Sequence, residues 1–347
     1  MIIQRKLLIF LMLNIFCLII FISGCSNEKK IKAQIEQIPV EIKFDRFDLK
    51  FASVKREEFQ KFKKKYKYLF PDQFSDSVWM KRKKDSIQNL LYNEVNKNFP
   101  NLIDLEKESE NIYKHLIYYF PLIKIPKFLT LTNNVDYQNK IIFADSIVLI
   151  SIDTFLGSTN KIYEGIPSYI KADMDRSRFS SILVDEIANS IVRRPVSRFF
   201  LDKIIYKGKI LLLKDFIIPS SNDGIKIGYS DKQINWAMQN EDYIWKYFIE
   251  NELLFDTDDD LEDRFINPAP FSKFYLEIDN DSPGKIGQWI GWQIVRSFSK
   301  KNPLLNISEI LLAHECERAV QLHEDEAQYS CAFHFYDFLH IANQTVL

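Results

Sequence analysis

The chain has 347 residues, with 46 basic and 47 acidic side chains and a formal net charge of −1, so no cationic excess points to nucleic acid. Hydrophobic residues make up 46% and aromatics 14%, enough for a sizeable core in one large domain or two small ones. Four cysteines, nine glycines and no internal repeat exclude a disulfide framework, a four-cysteine zinc site in the mature chain and low-complexity architecture.

Arg5 and Lys6 precede an apolar run from Leu7 to Ile22, broken only by Asn14, and Ile22-Ser23-Gly24-Cys25 follows. A basic start, an apolar middle and small residues before a cut site define residues 1–24 as a secretory signal peptide. The run is shorter than the roughly twenty residues a membrane span needs. Its last four residues resemble the bacterial lipobox, in which the cysteine is acylated and becomes the new N-terminus. Cys25 is then the lipid-bearing residue, with several acyl chains holding where one is marginal. Residues 25–37 read as a lipid-anchored tether. Cys17 leaves with the signal, so Cys316 and Cys331 remain for at most one disulfide.

Val40, Ile42 and Phe44 alternate with polar residues and predict a strand. Residues 55–67 have a helical pattern and carry Lys55, Lys61, Lys63, Lys64, Lys65 and Lys67. These lysines suit an anionic membrane surface, but a solvated face is the simpler reading. Helices are expected over 77–96 and 105–118. Strands follow at 128–131, 141–143 and 147–152. In the second half, Leu183, Val184, Ile187, Ala188 and Ile191 share a helix face, and Phe199 to Ile205 open another helix. Ser230-Asp231-Lys232-Gln233 is a capping box. Ser282-Pro283 reads as N-cap and first helical residue. Gly284, Gly287 and Gly291 would share one face of that helix. Interior helical glycines cost about 1 kcal/mol each relative to alanine, so close approach of another backbone is the simplest reason for them. The alternative is that this helix flanks a cleft.

Arg46-Phe47-Asp48, Tyr118-Tyr119-Phe120-Pro121, Tyr206-Lys207-Gly208-Lys209, Asn240-Glu241, Trp245, the segment from Phe265 to Tyr275, and Ser282 to Trp292 together resemble the GldB family. These are gliding-motility lipoproteins of Bacteroidota, and the resemblance covers roughly residues 22–310. It implies a role in gliding and in the type IX secretion machinery that gliding uses. The family in turn looks distantly similar to predicted zinc proteases of the zincin superfamily. Such enzymes place two histidines at i and i+4 on a helix, with a glutamate after the first as general base. Here the equivalent helix reads Asp185-Glu186-Ile187-Ala188-Asn189, with Asp and Asn where histidines belong. Lys207 stands where the third ligand is expected, and an ammonium repels a divalent cation. No histidine lies between His115 and His314. Asp185, Glu186, Asn189 and Lys207 therefore read as a degenerate metal motif, with Glu186 an ordinary charge beside an old cleft rather than a general base.

The tail is atypical: four of five histidines lie there and no lysine follows Lys301. His314-Glu315-Cys316-Glu317-Arg318 fails as a zinc motif at Arg318. Cys316, His323, Cys331 and His334 form a conceivable tetrahedral set with irregular spacing.

The expectation is a mainly helical α+β fold: one zincin-like domain over 38–310 with a small N-terminal sheet, followed by an atypical tail over 311–347. It binds no cofactor or metal and acts as a non-catalytic scaffold, facing the periplasm and held to a membrane by its lipid. Ser26 after the cysteine favours the outer membrane by analogy with the sorting rule of other bacteria. Its partners would be other gliding or secretion proteins, met through Phe271, Lys273, Phe274, Tyr275, Gly284, Gly287, Trp289, Gly291 and Trp292. A zincin-type metallopeptidase and a carbohydrate- or peptidoglycan-binding lipoprotein are the rival readings.

Overall fold

Residues 127–131 and 147–151 alternate their apolar side chains between two layers, and that alternation builds the centre of the molecule. The computed structural model describes residues 29–144 and 146–312. The signal peptide, Cys25 and the tail residues Cys316, His323, Cys331 and His334 lie outside the described residues. Strands β1 (Phe44–Asp45), β2 (Lys127–Leu131), β3 (Ile141–Ala144) and β4 (Ile147–Ser151) form one sheet in the order β1-β2-β4-β3. β1–β2 and β2–β4 are parallel, and β3–β4 is antiparallel.

Phe128, Val148 and Ile150 point into the main core, which is covered by α6 (Ile103–Tyr119) and α8 (Phe179–Ile191). Leu129, Leu131, Ile147 and Leu149 point the other way, into a smaller aromatic core. That second layer comes from α2 (Phe47–Ser53), α3 (Phe59–Lys65), α4 (Asp76–Lys83) and α5 (Ser86–Asn98). Arg46 bonds Asp48 through Nε and Nη2 and donates through Nη1 to the Phe99 carbonyl, and Thr130 donates to Asp48. The Arg46-Phe47-Asp48 motif is thus the rivet between sheet and second layer. In α3 Phe59 is buried, Lys61, Lys64 and Lys65 are exposed, and Lys63 is half-buried and pairs with Asp76 at 3.1 Å.

The remaining helices are α7 (Ser168–Lys171), α9 (Phe200–Ile217), α10 (Asp223–Ile227), α11 (Asp231–Glu250), α12 (Asp260–Phe265), α13 (Ile286–Lys301) and α14 (Ile307–Leu312). α9 and α13 make the closest helix pair. A Cβ on Gly291 would overlap the Ile204 carbonyl, and one on Gly208 would overlap the Gly291 carbonyl. The glycines are a helix-crossing seam, as their cost in a helix suggested.

Four expectations are corrected. The described part of the tether is helical over 29–36 (α1) and packs with Ile35 buried. The N-terminal strand keeps only Phe44–Asp45. The helix expected over 77–96 is two, because Asp85 caps α5 by accepting from the amides of Ile87 and Gln88. Ser282 does not cap α13: its hydroxyl donates to the Ser272 and Asp279 carbonyls, and the helix starts at Ile286, leaving Gly284 outside it. The capping box at Ser230 and Gln233 is present. The fold is mainly helical α+β. No described helix is long and apolar enough to cross a membrane.

Candidate functional site

α8 runs along the sheet edge beside β3 and crosses α9, so its polar residues meet whatever α9 presents. That residue is Lys214. Its ammonium donates to Asp185 Oδ1 at 2.7 Å, to Ser181 Oγ at 2.9 Å and to the Lys226 carbonyl at 2.7 Å. Three donors find three acceptors, which makes a lysine 2% exposed tolerable. The Lys226 carbonyl lies in the last turn of α10, where the partial negative charge of a helix end favours a cation. Burial pushes the Lys214 pKa down from 10.5 to about 8, against the pull of Asp185.

Other charges crowd the same region. Arg178 donates to Asp173 at 2.9 Å, and Lys285 donates to the Ile227 carbonyl at 2.8 Å. Burial holds Lys140 and Lys285 below the usual lysine range. Burial, then the neighbouring Asp185 charge, raises the Glu186 pKa, while Asn189 lowers it through a hydrogen bond. Lys207 does not meet Asp185: it is half-buried, with its ammonium 5.7 Å from the Tyr206 ring. Three of the four residues of the degenerate motif lie close together, and Lys207 faces elsewhere. Asp185, Glu186 and Asn189 share α8, Asn189 is linked to α9 by a 3.5 Å hydrogen bond from Tyr206, and Lys214 rather than Lys207 holds the carboxylate. Among the described residues, no group of three or more His, Cys, Asp or Glu could hold a metal ion.

The expected interaction surface is largely interior. Phe274, Gly284, Gly287, Trp289, Gly291 and Trp292 are buried, Phe271 is half-buried, and only Lys273 and Tyr275 are exposed. Trp289 donates to Glu241 at 3.2 Å and Trp292 to Asp215 at 3.0 Å. Arg296 stacks on Trp292 and joins Asp215 to Asp223, and Lys226 also bonds Asp215. These tryptophans anchor α13 to α9 and α11 instead of a partner.

Tyr275 is different. It is 70% exposed and its φ is +61°, a left-handed conformation that costs a non-glycine residue about 1–2 kcal/mol. Asp279 holds the turn by accepting from the amides of Phe274 and Tyr275, both at 2.9 Å. The Arg264 guanidinium lies 4.6 Å from the Tyr275 ring and donates to the Lys273 carbonyl at 3.0 Å. Leu276 beside it is 43% exposed. A rigid, strained, solvent-facing aromatic is a feature of functional surfaces. A separate cleft of about 520 Å³ between the α5–α6 turn and residues 155–157 contains none of the expected site residues.

The sequence alone does not single out Lys214, Arg264 or Asp279. Only Lys214 left a signal, as the charge that closes the apolar run 210–213.

A buried Lys214–Asp185 ion pair, a close helix seam and one displayed aromatic turn mark this mainly helical α+β protein. The chain belongs to the GldB family of gliding motility proteins, whose profile matches residues 28–320. The family is one of lipoproteins, so the protein is membrane-anchored in the cell envelope and has a role in gliding motility. The match runs through the first part of the segment set apart above as a tail. No curated protein and no solved structure matches the chain.

Proposed function

We propose that the protein is a non-catalytic, lipid-tethered scaffold supporting gliding and its associated type IX secretion machinery, with its body facing the periplasm. The observation that carries the non-catalytic reading is the Lys214 ammonium bonded to Asp185, which puts a fixed positive charge where a metalloenzyme would need a cation of its own. A zincin-like ancestry is part of this proposal, supported by Asp185, Glu186 and Asn189 sharing one helix beside α9. Zinc analysis of the purified protein tests it. Stoichiometric zinc together with a peptidase activity that disappears in Glu186→Ala would make the protein a metallopeptidase.

Deletion of the gene is expected to stop colony spreading, and the wild-type gene to restore it. Cys25→Ser is expected to release the protein from the membrane fraction and fail to restore spreading. Normal spreading without the gene sinks the functional reading, and full rescue by the released protein sinks the tethering requirement.

The Tyr275 turn is the proposed contact with a motility partner. Tyr275→Gly relieves the left-handed strain but loses the stacking on Arg264 and adds chain entropy, so stability is expected to stay within about 1 kcal/mol of wild type. Spreading is expected to fall sharply while the thermal midpoint barely moves. Wild-type spreading in this variant would remove the turn from the proposed surface.

A further inference from the structure

The described part of the tether sets the direction in which the chain runs back toward residue 25. Tyr118 donates to the Gln34 side chain and Lys114 to the Glu36 carbonyl, each at 3.3 Å. Moving back along α1 from Glu36 to Gln34 therefore moves forward along α6 from Lys114 to Tyr118. The two helices are antiparallel, and the start of α1 points past the C-terminal end of α6. Residue 29 lies about 7.5 Å beyond Gln34 at the helical rise. Cys25 is four residues further, a reach of at most about 14 Å.

The segment waiting at that end is Pro121-Leu122-Ile123-Lys124-Ile125-Pro126-Lys127. The Ile123 amide donates to the Phe120 carbonyl at 3.0 Å, closing a turn with Pro121 at its favoured second position. Leu122 is displayed at the next position, 95% exposed, and Ile125 is 39% exposed. Buried Pro126 and the start of β2 fix the segment to the body. Lys29, Lys30 and Lys32 on α1, and Lys124 and Lys127 in the segment itself, are all exposed. Across residues 29–36 and 120–127 these five lysines face a single acid, Glu36. A lone exposed leucine needs no explanation. A leucine at a turn apex, with lysines in its own segment and on the helix that leads back to the lipid tether, has the composition of an interfacial element.

We infer that the 121–127 turn is a second membrane contact: Leu122 and Ile125 enter the headgroup boundary of a bilayer while the five lysines face anionic phospholipid. The inference rests on the lipid anchor of the proposed function. It gives the body a fixed orientation, with the α6 C-terminus down and Ile103 about 24 Å away along the helix.

The test uses the full lipidated protein in vesicles of phosphatidylglycerol and phosphatidylcholine, with Cys316→Ser and Cys331→Ser removing the other thiols. Leu122→Cys and, separately, Ile103→Cys carry an environment-sensitive fluorophore, both positions being exposed. Quenching by lipid-borne nitroxide is expected to be at least threefold greater at position 122 than at 103. Flotation with the vesicles but equal access of aqueous iodide to both labels overturns the turn contact and leaves the anchor standing. A protein that does not float overturns the anchor itself. Undiminished quenching in pure phosphatidylcholine overturns the assignment to anionic lipid.

Discussion

Gly291→Ala is expected to destabilise the protein by about 3 kcal/mol or more, the upper end for overpacking. In an exposed helix the same change would stabilise by about 1 kcal/mol. The sign reverses because the new methyl would overlap the Ile204 carbonyl, which is backbone within α9 and has no rotamer to change. Gly208 receives the Gly291 carbonyl from the other side, so the helices cannot slide to make room. Gly287 also lies close, 3.0 Å from the Ile204 side chain for an added Cβ. Separating the helices would expose Ile204 and Trp292, both fully buried, and loosen Trp292 from Asp215. Urea unfolding measures the change as a fall in midpoint. A midpoint equal to or above wild type would mean the two backbones are not in contact.

This seam shows what was legible in the sequence and what was not. Glycine spacing revealed that something approaches one face of α13. It could not distinguish a partner protein from α9, so buried tryptophans were read as a surface. The error lies in treating aromatic enrichment as exposure: Trp289 and Trp292 use their indole N–H groups on Glu241 and Asp215, which lets them be interior. Periodicity placed α8, α9 and α11 well because their apolar faces are continuous. It failed at Ser282, where a tertiary partner, the Ser272 carbonyl, takes the hydroxyl that would have capped a helix. Lys214 was not legible as a buried charge, because a lysine buried by three acceptors looks in sequence like any solvated lysine. Tyr275 was named for its aromaticity. Its left-handed backbone and its display on Arg264 have no sequence signature without a glycine to announce the turn.

Lys214→Met is expected to remove the largest single part of a rise in stability between about pH 8 and 10.5, leaving the part due to Lys140 and Lys285. The lysine titrates near 8 in the folded protein and near 10.5 when unfolded. Below pH 8 both states hold the proton, and the full cost of burying the ammonium stands. Between the two values the unfolded chain still binds a proton that the folded protein has released, so stability rises with pH. Above 10.5 both are neutral. The separation corresponds to about 3 kcal/mol across the window. Tyr113 and Tyr163, whose pKa values burial raises, act in the opposite sense above pH 10, but equally in both proteins, so they cancel in the difference. The variant keeps the volume, and Ser181 still donates to the Lys226 carbonyl. Asp185 is left with its side chain 40% exposed, free to be hydrated. Stability at pH 7 is therefore expected to be equal to or above wild type, with the Lys214 share of the alkaline gain missing. Parallel urea titrations at pH 7, 8.5 and 10 read this directly. An identical pH profile in the two proteins would mean that Lys214 is solvated, and the non-catalytic reading would lose the fixed cation on which it rests.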